Sequence, residues 1–195
     1  MKKRQDIIIA ITETAIFVAL AIVFELLSKL IGLSLPQGGS ISLTMLPLLI
    51  ISIRRGVGYG FVAGLIFGII NFFLDGFYWH WGSIFLDYLF AFPVLGLAGL
   101  FRKKVVKSSN YLIPAFSLAV FMRFLFSFLS GVIFFSSYAA PEGYLSKYGE
   151  LFGAIIYSIV YNGSYLVLSL LLCLVIAFGI YPVIFYKIDL EKIKK

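Results

Sequence analysis

The sequence predicts an all-α integral membrane protein, with six transmembrane helices in a single membrane-embedded domain over residues 1–195. Three observations predict it. Hydrophobic residues make up 62% of the chain and charged residues 13%, against roughly 45–50% and about 25% in a soluble domain. That excess is too large for one soluble core of this size, whereas lipid lets apolar side chains face outward. The apolar residues fall into long runs. Between the runs, 13 of the 16 Lys and Arg residues gather in four clusters: Lys2, Lys3 and Arg4; Arg54 and Arg55; Arg102, Lys103, Lys104 and Lys107; Lys187, Lys192, Lys194 and Lys195.

A crossing takes about 20 residues. The first run, 7–31, has the basic start of a signal peptide but no small-residue cleavage site, so it is read as a retained helix. Residues 32–41, with Pro36, Gln37, Gly38, Gly39 and Ser40, form a loop. The second helix, 42–53, is short, stops at Arg54-Arg55-Gly56, and contains Pro47, which predicts a broken or tilted segment. The third, 57–74, follows Gly56 with Gly60, Gly64 and Gly68 at a four-residue period, a spacing that lets another helix backbone approach closely. The fourth (83–101), fifth (111–135) and sixth (151–186) complete the set, the last long enough to bend near Gly179 or Pro182. An even number of spans with both termini cytoplasmic puts all four basic clusters on one side, as the positive-inside rule requires.

The same patterning excludes several functions. The net charge of +7 forms no basic stripe interleaved with aromatics on a soluble face, so nucleic acid is not a partner. Gly56-Val57-Gly58-Tyr59-Gly60 superficially resembles a nucleotide loop but lacks the strand and the sixth-position glycine, and there is no Walker A motif. His80, the single histidine, lies in an outer loop between Trp79 and Trp81 without a Cys or His companion, so no metal set is expected. Cys173, the single cysteine, reads as a packing residue.

Charges inside a bilayer cost roughly 2.5–3.5 kcal/mol at mid-depth on insertion scales, so each needs a partner or a purpose. Glu25 and Lys29, four residues apart, read as a helix-surface ion pair. Glu13 either snorkels or contacts a partner. Asp87 follows an aromatic stretch and precedes Tyr88; it either binds a cationic or amino-substituted ligand or pairs with Arg123. Arg123, Ser127 and Gly131 share one face of the fifth helix. Tyr157, Tyr161 and Tyr165 form a stripe on the sixth that serves packing or a pocket. Asn162 beside it needs hydrogen bonds from a helix or a ligand.

In these residues the chain resembles the thiamine-specific substrate-binding subunits (S components) of energy-coupling factor (ECF) vitamin transporters. The resemblance spans nearly the whole chain. It rests on Pro36-Gln37-Gly38-Gly39-Ser40-Ile41-Ser42 with Pro47, Arg54-Arg55-Gly56, His80 followed by Leu86-Asp87-Tyr88, Ser130-Gly131-Val132-Ile133-Phe134-Phe135, and Tyr157-Ser158 with Tyr161-Asn162-Gly163. It implies an S-component bundle in the bacterial plasma membrane with a buried vitamin site near the outer face. Asp87, Tyr88, Tyr157 and Asn162 match the family's pocket residues, Phe135 matches a stacking aromatic, and Gly39 and His80 go with the ligand-binding set. The family's pocket histidine falls here on Ser127, and its acid, Glu in some relatives, is the shorter Asp. The resemblance further implies docking through Ala15 and Ala19 on a transmembrane coupling subunit joined to two cytoplasmic ATPases, with no cofactor in this chain.

The expected function is therefore capture of thiamine or a close relative for uptake energised by a separate module. Three alternatives stand beside it: an S component for a different small molecule, given Ser127; a membrane-embedded enzyme using Asp87 and Arg123; and an assembly subunit without a ligand.

Overall fold

The computed structural model describes residues 2–35, 38–75, 78, 80–135 and 149–185. The chain forms helices α1 (Lys2–Leu30), α2 (Met45–Arg55), α3 (Val57–Asp75), α4 (Trp81–Val105), α5 (Leu112–Phe134) and α6 (Glu150–Phe185). All but α2 are long and apolar enough to cross a membrane. Apolar side chains project outward along them, including Ile11, Ile16 and Val23 of α1 and Val167, Leu171 and Val175 of α6. In water such a surface would be prohibitive; in lipid it is the solvated one.

The second helix departs from the expected 42–53. It has 11 residues, about 16 Å at ~1.5 Å per residue, roughly half the ~30 Å hydrocarbon core. It is buried from Met45 to Ile53, so it is a core element rather than a lipid-facing span. Pro47 does not break it. The residue sits in the first turn, where a backbone N–H has no intrahelical acceptor to lose. Gly56 ends the helix at φ 97°, a conformation that favours glycine, and α3 starts at the next residue.

Only part of the glycine period serves close packing. A β-carbon on Gly60 would overlap Ser52, one on Gly64 the Phe92 carbonyl, and one on Gly68 the Tyr88 carbonyl, whereas Gly56 has open space beside it. Gly64 and Gly68 thus seat α3 against α4, and Gly60 seats it against both α2 and Gly96 of α4. That helix is irregular. Pro93 has no N–H to return to the Leu89 carbonyl, and the ladder slips around it. Before it, Phe85–Phe90 is π-helical, with Ala91 N–H bonded to the Leu86 carbonyl at 3.1 Å; after it, Pro93–Phe101 is 3₁₀. The sixth helix runs unbroken through Gly179 and Pro182.

The basic clusters that the structure describes gather at one end. Glu13 accepts from Arg54 Nη2 at 2.9 Å and Arg55 Nε at 2.6 Å, Arg54 also donates to the Ile184 carbonyl, and Tyr181 donates to the Val105 carbonyl. Of the two readings of Glu13, the structure selects neither: its partners are intramolecular arginines.

Candidate ligand-binding site

At the other end of the bundle, α1, α3, α4, α5, α6 and the segment after α1 surround a cavity. Counting its open mouth, it holds about 730 Å³ of unoccupied space.

Each element contributes for a local reason. The segment after α1 folds into a short hairpin: Ser34 and Ser40 form an antiparallel bridge, Leu35 N–H donates to the Gly39 carbonyl at 2.6 Å, and Gly38 takes φ 87° at the bend. Gly39 N–H donates to the Tyr161 hydroxyl at 3.0 Å, and Ser42 N–H to Ser169 Oγ at 3.1 Å. Gly38, Gly39 and Ser40 so become a wall of the cavity; Pro36 and Gln37 lie outside the described residues.

Asp87 sits in the π-helical turn of α4, a distortion that often marks functional sites. Its Oδ2 accepts from Ser130 Oγ at 2.6 Å. Asp87 and Arg123 line the same cavity but form no ion pair among the described residues. The guanidinium of Arg123 instead lies 4.2 Å from the Phe92 ring centroid, and its Nε is buried without a hydrogen-bond partner. Tyr88 is buried edge-on to Phe72.

From α5, Ser127, Gly131 and Phe135 line the cavity. A β-carbon on Gly131 would overlap Ser158 Oγ, so this glycine lets α6 close in. From α6 come Tyr157, Tyr161, Tyr165 and Asn162; the first two rings stack at 5.7 Å, and Tyr165 stands edge-on to Tyr161. Asn162 Nδ2 donates to the Ser127 carbonyl (3.3 Å), the Ser158 carbonyl (3.1 Å) and Ser158 Oγ (3.2 Å), while its Oδ1 accepts from the Tyr165 hydroxyl at 3.0 Å. Its amide hydrogens are committed within the protein. Only Oδ1, with a second lone pair, is left for a guest.

Seven of the eight expected ligand residues line this cavity: Gly39, Asp87, Tyr88, Ser127, Phe135, Tyr157 and Asn162. His80 does not. It is exposed and caps α4, its Nδ1 accepting from Gly82 N–H at 3.1 Å, with its ring stacked on Phe134. Ala15 and Ala19 are exposed on α1. Among residues outside the expected set, Glu25 is the most consequential. Its ion pair with Lys29 forms at 4.0 Å, but Glu25 does not lie on the helix surface: it is a buried carboxylate, 4% exposed, that lines the cavity.

A polar cavity walled by rings inside a helical membrane bundle defines a small-molecule-binding membrane protein. Comparison with known proteins narrows the class. The family model described as thiamine transporter protein matches residues 11–188, and the chain belongs to that family. It is 35% identical over 179 residues to the thiamine transporter ThiT of Bacillus subtilis (strain 168), covering 87% of this chain and 88% of that one. It is 28% identical over 184 residues to ThiT of Lacticaseibacillus paracasei, covering 87% and 85%. The solved structure of ThiT from Listeria monocytogenes superposes with a TM-score of 0.74 at 26% identity, over 92% of this chain and 98% of that one. The chain is a multi-pass protein of the cell membrane with a transport role, and the alternative of an enzyme built on Asp87 and Arg123 is set aside.

Proposed function

We propose that the protein captures thiamine at the outer side of the cell membrane for uptake. One observation carries this reading: a cavity holding Asp87, Arg123 and Asn162 among Tyr88, Phe135, Tyr157 and Tyr161, in a member of a transporter family that bears thiamine's name. The named relatives support the same substrate. Thiamine joins an aminopyrimidine to a permanently cationic thiazolium. Asp87 accepts from the amino group, and the rings attract the cation, by about 0.5–2 kcal/mol each. Tyr157 and Phe135 stack on the guest.

The chain carries no nucleotide motif and needs no cofactor of its own. An ECF coupling subunit with two cytoplasmic ATPases energises release, docking on the α1 face that bears Ala15 and Ala19, where small side chains permit close helix contact. The end that holds Arg54, Arg55 and Arg102 faces the cytoplasm together with both termini, which the positive-inside rule supports. Ser127, in place of the family's histidine, supports a second reading within the same class, in which a modified thiamine or a precursor is the preferred guest.

Isothermal titration of the detergent-purified protein separates these outcomes. Saturable heat with thiamine is expected. Heat only with the isolated pyrimidine or thiazole half, or with a phosphorylated form, favours the second reading, and no heat with any of them overturns both.

A further inference from the structure

The cavity contains two carboxylates, Glu25 and Asp87, but a single guanidinium, Arg123. Asp87 is bound by Ser130 of α5, whereas Glu25 is bound by different elements, so the two acids belong to different walls. Glu25 Oε2 accepts from Thr44 Oγ1 at 2.8 Å, and Ser40 Oγ lies 3.4 Å from both carboxylate oxygens. These partners are neutral hydroxyls. The nearest cation, Lys29 Nζ, is 4.0 Å away on a side chain 27% exposed, whereas that of Glu25 is 5% exposed. A carboxylate so deeply buried is stable only when charges compensate it; Lys29 stands at the edge of an ion-pair distance, and Arg123, which interacts electrostatically with Glu25 as well as with Asp87, is shared between the two acids.

We infer that Glu25 is the counter-charge that makes this cavity select a cation, with the guest's own positive charge completing its compensation. The inference rests on the thiamine reading and adds to it a residue that determines specificity. Asp87 recognises a hydrogen-bonding group, while Glu25 recognises charge itself. Because Glu25 also holds Ser40 of the cavity wall and Thr44 beside α2, the charge of the guest is felt at the junction of α1, the hairpin and α2.

The test compares thiamine with its uncharged isostere, in which carbon replaces the quaternary ring nitrogen, by titration calorimetry. The unaltered protein is expected to bind thiamine at least tenfold tighter than the isostere. Glu25→Gln, which keeps size and an acceptor for Thr44, is expected to lower thiamine affinity at least tenfold and move the isostere less than threefold. Lys29→Met, a change at a partly exposed site, is expected to increase the cation preference, and it tests the inference even where Glu25→Gln fails to fold. An unchanged cation preference in either variant overturns the inference while leaving thiamine binding intact. An unaltered protein that binds neither compound overturns the thiamine reading, and this inference with it.

Discussion

The backbone N–H of Gly39 donates to the hydroxyl of Tyr161 at 3.0 Å, fastening the hairpin after α1 to the last helix across 122 residues of sequence. Replacing Tyr161 with Phe removes the acceptor and leaves the ring. Such a bond is worth about 0.5–1.5 kcal/mol net. Stopped-flow fluorescence of Tyr161→Phe is expected to show ligand leaving several-fold faster with little change in association. An unchanged dissociation rate would mean that the hairpin is held elsewhere.

Asp87→Asn keeps the side chain's size and one acceptor but removes its charge. Thiamine affinity is expected to fall at least tenfold, about 1.4 kcal/mol, measured by calorimetry on protein that still elutes as a monodisperse peak. Retained affinity assigns Asp87 to the Ser130 contact alone.

Gly68→Ala places a methyl group against the Tyr88 carbonyl, and backbone cannot yield as a flexible side chain does. Overpacking of this kind costs about 1–3 kcal/mol, so a lower thermal midpoint and weaker thiamine binding are expected together, since Tyr88 follows Asp87. Gly58→Ala, where nothing lies within 4 Å, is the matched control and is expected to be neutral.

Ser127→His restores the imidazole that the family resemblance expects. One added hydrogen bond of up to about 1.5 kcal/mol corresponds to as much as tenfold tighter binding. Weaker thiamine binding in this variant would show that the cavity is shaped for a different guest.

Ala15→Leu with Ala19→Leu enlarges the exposed face of α1 without entering the core. Loss of co-purification with the coupling subunit and ATPases, at unchanged thiamine affinity, is the expected result. Intact co-purification moves the docking surface elsewhere.

The spans were legible because lipid imposes length and composition, two properties that a linear sequence displays. Asp87, Tyr157 and Asn162 were legible as candidates because polar groups stand out in apolar runs. The role of Glu25 was not. Lys29 at i+4 offers a local partner that sequence alone favours, while Ser40 and Thr44, which hold the carboxylate, are brought to it by a hairpin whose path no periodicity reveals. His80 entered the ligand-binding set through the family resemblance alone; its place as the cap of α4 depends on backbone geometry at Gly82, which the sequence does not display. Pro47 looked like a breaker because the start of α2 was set three residues early. Pro93, the proline beside which a helix does change its winding, is inconspicuous within an apolar run, although it follows the π-helical turn that carries Asp87.

The brevity of α2 also bears on how the chain is made. Eleven residues ending in two arginines cannot hold a place across the lipid, and a single glycine joins them to α3. The two helices therefore enter the membrane as one hairpin, and the earlier arm has no stable depth until the later one leaves the ribosome. A nascent chain stalled with α2 clear of the ribosome but α3 still within it is expected to leave Met45–Arg55 open to chemical labelling, and one stalled with both helices clear to shield it.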